Sequence, residues 1–189
     1  MRLRAMAQFH TRYIKNNQYA QCTPDECLVL LTVHEWEDRQ NKNTQSLLKK
    51  AGVSQKASMA EVNYTEGRNL DKNMFDRIRT LDFISKKEYI IITGPSDGGK
   101  SYLSQAMGHQ TCLPKMKVIY TNTARLFTRL KLAKVDGIYL KEIYKLNKTD
   151  LHILDDCGLQ PFDSLARETL LDILMNGLTN VRRSSPPSF

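Results

Sequence analysis

The sequence predicts an α/β fold, a parallel sheet with helices on both faces, preceded by a small helical module. Three observations carry this expectation. Short β-branched runs recur at Tyr89-Ile-Ile-Ile-Thr93, Lys117-Val-Ile-Tyr-Thr121 and Leu151-His-Ile-Leu154, each too short for a helix and apolar enough for a buried strand. Stretches with helical apolar spacing separate them, from Leu103 to Gly108 and through Leu126, Leu130 and Ala133, and alternation of strand and helix implies parallel pairing. Upstream of Glu88 the apolar spacing is helical instead.

Taken in order, the first clear start signal is Thr23-Pro-Asp-Glu26. It combines a capping residue, a proline at the first helical position and acids in the first turn, all of which complement free amide groups. Leu28, Leu31, Glu35 and Asp38 then share one spacing, with Val29, Val33 and Trp36 beside them, and Gly52 can end the helix after Leu47-Leu-Lys-Lys50. Residues 1–80 therefore read as a mostly helical module, and the polar stretch from Asn63 to Asn73, with Gly67 inside it, reads as its linker. Residues 81–174 form the strand-containing domain, and residues 175–189 a separate tail with Ser184-Ser-Pro-Pro-Ser188 in it.

Composition narrows the class. The 189 residues are 41% hydrophobic and 25% charged, which excludes a disordered or collagenous chain. No apolar run is long enough for a membrane span, and Met1-Arg-Leu-Arg4 is not followed by a signal core, so a cytoplasmic protein without membrane contact is expected. Cys22, Cys27, Cys112 and Cys157 lack paired zinc spacing and are expected to be reduced bystanders. The net charge of +8, spread over both halves, is compatible with nucleic-acid phosphates and equally with an ordinary basic surface.

The chemistry is concentrated in two segments. Gly94, Pro95, Ser96, Asp97, Gly98, Gly99, Lys100 and Ser101 satisfy the Walker A pattern between a strand-like run and an apolar helix that continues through Tyr102. Such a loop turns amide groups toward phosphates at a helix start, places the Lys100 ammonium on the β and γ phosphates, and offers the Ser101 hydroxyl to Mg2+. A glycine-rich turn with a solvated lysine is the alternative. Downstream, Leu151-His-Ile-Leu-Asp155-Asp156 ends an apolar strand in two carboxylates, as a Walker B segment does. Asp155 is the candidate metal ligand, through water, and Asp156 the candidate group that polarises the attacking water. Alone, the acidic pair would read as a strand-end turn. The expected cofactors are ATP and Mg2+, with Lys100 and Asp156 as the catalytic pair.

Together with this loop, Arg68-Asn-Leu-Asp-Lys72, Ala106-Met-Gly-His-Gln110, Asp136-Gly-Ile-Tyr-Leu-Lys141 and Thr149-Asp-Leu-His-Ile-Leu-Asp-Asp-Cys-Gly-Leu-Gln-Pro161 resemble the IstB-like transposition helper ATPases. The resemblance runs from about Arg4 to Leu174. It implies a P-loop domain of AAA+ type related to the DnaC-type helicase loaders. It further implies a homo-oligomer that assembles on double-stranded DNA with ATP and delivers the target to a transposase. The helical module, with Glu35-Trp-Glu-Asp-Arg39, would serve DNA and subunit contacts. Three alternatives stand beside it: a replication helicase loader, a non-catalytic DNA-binding fragment, and a small-molecule kinase, for which no acceptor motif is visible.

The chain departs from the family pattern at several points. Asp97 stands where a glycine is expected; aspartate tolerates a left-handed backbone, but its charge should weaken nucleotide binding. His152 replaces an apolar strand residue and is expected to be a core or edge histidine, and Cys157 replaces an aromatic. In the AAA+ class a fourth strand, carrying a polar sensor residue, lies between the Walker A and Walker B strands. The residues after Leu174 supply no candidate for it. Back-translating Met175 to Phe189 with chosen synonymous codons and reading from the third base yields ERFDKRSSIITSQL, which resembles that segment of the family. Residues 175–189 are therefore expected to be out of frame. The chain is then a truncated helper ATPase without sensor strand or arginine finger, poor or inactive in hydrolysis and marginal in folding.

Overall fold

The structure, a computed structural model, describes residues 3–16, 23–54, 56–62, 70–95, 97–157 and 164–179. Ser96, the segment 63–69 with Arg68, the end of the Walker B motif at 158–161 and the tail from 180 lie outside the described residues. The chain divides into two compact units, Met1–Ser46 and Leu47–Phe189.

In the first unit, α1 (Arg4–Lys15) lies against the amino-terminal part of α2 (Pro24–Ala51). The start of α2 matches its sequence signal. The Glu26 carboxylate accepts from the Thr23 amide at 2.8 Å while the Glu26 amide donates to the Thr23 hydroxyl at 3.4 Å, a reciprocal cap. The Thr23 amide foremost, then the Thr23 hydroxyl, which donates to the same carboxylate at 3.0 Å, hold the Glu26 carboxyl below its ordinary range. The capping residue of α1, Leu3, has no side-chain cap bond to give. Glu35, buried on α2, supplies the acceptor instead, taking the Met6 amide at 3.0 Å and the Arg39 guanidinium at 2.8 Å. Those two contacts lower its pKa, the Met6 amide most. Phe9 stacks on Tyr13 and packs against His34. α1 thus covers the Leu31, His34, Glu35 and Asp38 face of α2, whereas Leu28, Val29, Leu30, Val33 and Trp36 are exposed.

The second unit begins within the last turns of α2, at Leu47, and α2 stops at the expected glycine. Gly52 is left-handed (φ +73°), and the Gly52 and Val53 amides return to Lys49 and Leu48 carbonyls at 3.3 and 3.2 Å. A short 3-10 turn (Met59–Glu61), α3 (Lys72–Arg79, capped by the Asp71 carboxylate) and α4 (Asp82–Lys86) lead to the strand region. Then come α5 (Lys100–Cys112), β1 (Val118–Asn122), α6 (Thr123–Val135), α7 (Tyr139–Asn147), β2 (Leu151–Asp155) and α8 (Ser164–Thr179).

β1 and β2 pair in parallel, Val118 opposite Leu151 through Asn122 opposite Asp155. Their side chains alternate as a two-faced sheet requires. Val118, Tyr120, Leu151 and Ile153 pack with Leu48, Ala51, Val53 and Cys112; Ile119 and Leu154 pack with Leu126, Leu130, Ile143, Leu146 and Ile173 from α6, α7 and α8. Helices therefore cover both faces, as expected of an α/β P-loop fold. α5 approaches closely because Gly108 faces the sheet, where an added Cβ would lie 2.9 Å from both Ile153 and Val53 side chains.

One expected element differs. The run Tyr89–Thr93 is not a paired strand; residues 88–95 belong to no ladder, and the sheet of the described residues is β1 and β2 alone. Alternation survives there: Ile90 and Ile92 pack on the core of Phe75, Phe83, Leu103 and Met107, while Tyr89 and Ile91 are exposed, Ile91 by 83%. A strand is completed by a neighbour's backbone, and none among the described residues offers one to this stretch. His152 is a structural histidine, as expected. Its Nε2 meets the Leu146 carbonyl at 2.8 Å, at the end of α7, and the Thr149 hydroxyl, and burial pushes its pKa down.

Candidate functional site

The polar side chains of the second unit converge at the carboxyl ends of β1 and β2, beside the start of α5. Open parallel sheets bind ligands at such an edge. The loop entering α5 turns through two left-handed residues, Asp97 (φ +62°) and Gly99 (φ +79°), with the Gly98 amide returning to the Pro95 carbonyl at 3.2 Å. Asp97 thus adopts the backbone its position demands, at the cost of a side chain where glycine would be free of strain. Gly99 caps α5 without a side chain, so no side-chain oxygen competes for the first-turn amides.

Lys100 opens α5, and its ammonium donates to the Gly94 and Pro95 carbonyls at 3.1 and 2.6 Å. Ser101, exposed, donates its hydroxyl to Asp155 Oδ1 at 3.2 Å. The two sequence-predicted motifs therefore meet in space. The Tyr102 hydroxyl points away from the loop, toward the Ser58 backbone and the Glu61 carboxylate at 3.4–3.5 Å.

Asp155 sits in a dense set of donors. Its Oδ2 accepts from the Tyr120 hydroxyl, its Oδ1 also takes the Asp156 amide at 3.0 Å, and its carbonyl accepts from the Thr123 hydroxyl at 2.8 Å. Partial burial opposes its charge, but the Tyr120 and Ser101 hydroxyls, the Asp156 amide and the nearby Lys100 outweigh it, so its carboxyl is held below the usual range. Tyr120 responds in the opposite sense: burial first, then the Asp155 carboxylate, push its phenol up. Asp156, left-handed at φ +55°, is exposed, and its Oδ2 accepts from the Asn122 amide group at 2.7 Å.

Tyr120, Asn122 and Thr123 are the residues that reading the motifs alone misses. Their signal was present: the run Val118–Asn122 ends in polar residues, and in equal parallel register Asn122 falls opposite Asp155. What the sequence lacked was the register.

The donor set fits a phosphate-bound Mg2+. A hydroxyl and one carboxylate oxygen face each other at the head of a helix with a lysine beside them, and Mg2+ is held by few protein oxygens plus phosphates and water. No group of three or more His, Cys, Asp or Glu side chains that could hold a metal occurs among the described residues.

Fold and site together define a P-loop nucleotide-binding protein of the α/β class. The family described as IstB-like ATP binding protein matches residues 1–181, and the chain belongs to it. A Sinorhizobium fredii protein named as an insertion sequence ATP-binding protein, y4pL, is 36% identical over 92% of this chain and 71% of its own length. A Pseudomonas fluorescens protein named as the ATP-binding protein of insertion sequence IS1162 is 32% identical over 79% of this chain and 65% of its own length. A second Sinorhizobium fredii protein of this kind, y4uH, is 33% identical over 91% and 69%. The chain thus spans about two thirds of the length of these relatives. No helix among the described residues is long and apolar enough to cross a membrane.

Proposed function

We propose that the chain is an ATP-dependent helper of transposition that assembles on double-stranded DNA and presents it to a transposase. Family membership, relatives named for insertion sequences and the +8 charge support this reading. One observation carries the nucleotide site: Ser101 and Asp155, far apart in sequence, meet at 3.2 Å beside Lys100 at the start of α5.

In this reading the Gly94–Ser101 loop and the first-turn amides of α5 cradle the phosphates, with Tyr102 following in the same helix. Lys100 exchanges the Gly94 and Pro95 carbonyls for β and γ phosphate oxygens. Ser101 and, through water, Asp155 would hold Mg2+, which when bound would neutralise charge on the β and γ phosphates. Asp156, held by Asn122, orients the attacking water for hydrolysis.

The test is binding of a fluorescent ATP analogue to the purified chain with and without Mg2+, together with salt-dependent DNA binding and transposase capture. Lys100→Ala is expected to weaken nucleotide binding at least ~10-fold, the scale of losing a charge-assisted contact to phosphate. Unchanged binding would remove Lys100 from the site. Capture of a hexameric helicase instead of a transposase would make the chain a helicase loader. Salt-sensitive DNA binding without ATP turnover would make it a non-catalytic DNA-binding fragment.

A further inference from the structure

The Asp155 carboxylate is the meeting point of three elements. Ser101 and Gln105 come from α5, Tyr120 from β1 and Asp155 from β2, and they join in one chain of hydrogen bonds. The Gln105 side-chain amide donates to the Tyr120 hydroxyl at 3.4 Å, the Tyr120 hydroxyl donates to Asp155 Oδ2, and Ser101 donates to Oδ1 at 3.2 Å. Because Gln105 supplies a hydrogen to the Tyr120 oxygen, the phenol's own hydrogen is directed at Asp155. One carboxylate oxygen is thereby engaged on the sheet side. The other faces the Ser101 hydroxyl.

We propose that Tyr120 is a positioning residue for the metal site, with Gln105 behind it: by engaging Oδ2 it fixes the Asp155 carboxylate so that Oδ1 stays turned toward Ser101, where the two would serve a bound metal. The inference rests on the ATP and Mg2+ reading above. Without the phenol, the Asp155 side chain loses its hydrogen bond to β1 and can turn about its side-chain bonds, so the carboxylate must be ordered when the metal binds. Groups that orient metal ligands typically contribute about 10-fold to 100-fold in metal affinity. Tyr120 is half-buried and packs against the cluster of Leu48, Val53, Cys112 and Ile153, contacts that a phenylalanine ring retains.

The experiment is a Mg2+ titration of fluorescent ATP analogue binding to the full chain, with thermal unfolding followed in parallel in EDTA. Tyr120→Phe is expected to raise the Mg2+ concentration at half-effect about 10-fold and to leave metal-free nucleotide binding unchanged. Gln105→Met should shift the midpoint in the same direction by less. In an Asp155→Asn background, Tyr120→Phe should add nothing further. A purely structural role would lower the unfolding temperature in EDTA and leave the Mg2+ midpoint where it was, which overturns the proposal. If Asp155→Asn moves the midpoint and neither Tyr120→Phe nor Gln105→Met does, the positioning role alone falls. If the unaltered chain binds no nucleotide, or Asp155→Asn leaves the midpoint in place, the nucleotide and metal reading falls and this inference with it.

Discussion

Residues 88–95 and the β1–β2 pair are built from similar sequence and end differently. Tyr89-Ile-Ile-Ile-Thr93 is even more β-branched than Val118–Asn122, and both lead into a helix through polar or glycine residues. Yet Val118–Asn122 forms five register pairs with Leu151–Asp155 and leaves none of these residues exposed between helices on both faces, while residues 89–93 pack only Ile90 and Ile92 and expose Tyr89 and Ile91. Local composition selects an extended backbone in both places. Pairing depends on what the rest of the chain brings alongside.

The largest test of that contrast is to remove one side chain from each region. Ile153→Ala, beneath Gly108 and between Val53 and Val118, should cost about 2–5 kcal/mol of unfolding free energy in a denaturant titration. Ile91→Ala, from an 83% exposed position, should cost under about 0.5 kcal/mol. Comparable losses would mean that residues 88–95 are as tightly held as the paired strands.

The next test acts on the loop that follows the unpaired stretch. Asp97→Gly removes a carboxylate from the proposed phosphate cradle and relieves a left-handed side chain at φ +62°, a strain on the order of 1 kcal/mol. ATP-analogue affinity should tighten several-fold. An affinity that stays put would show that neither the charge nor the backbone of Asp97 opposes binding.

A smaller effect probes how the helices cover the paired half. Tyr139 on α7 donates to Asp172 on α8 at 2.9 Å, and burial, followed by that carboxylate, pushes its phenol up to about 12 from an ordinary 10. The folded chain therefore favours the neutral phenol. Its contribution to stability is complete below pH 10 and is lost as the pH rises toward 12. Denaturant midpoints measured across that window should fall less steeply for Tyr139→Phe than for the unaltered chain. Parallel slopes would remove Tyr139 from the alkaline transition.

Much of the site was legible because its parts are local. The spacing from Gly94 to Ser101 specifies a turn into a helix start, and the run ending in Asp155 and Asp156 specifies a strand with carboxylates at its carboxyl end. The Thr23 cap and the Gly52 stop are readable for the same reason, since each depends on hydrogen bonds within a few residues. Glu35 was not legible as a cap for α1, because its partner amide, Met6, belongs to another helix.

From the residues alone came the glycine-rich turn into α5, the acidic strand end, the helical character of the amino-terminal part and the α/β class. Each follows from short-range periodicity and backbone chemistry. The tertiary structure alone decided that Val118–Asn122 lies in register beside Leu151–Asp155, that Tyr120 and Asn122 thereby hold the two carboxylates, and that residues 88–95 join no ladder. Those outcomes turn on contacts between segments some thirty residues apart or more, where closing the chain must be offset by burial and pairing that no local pattern encodes.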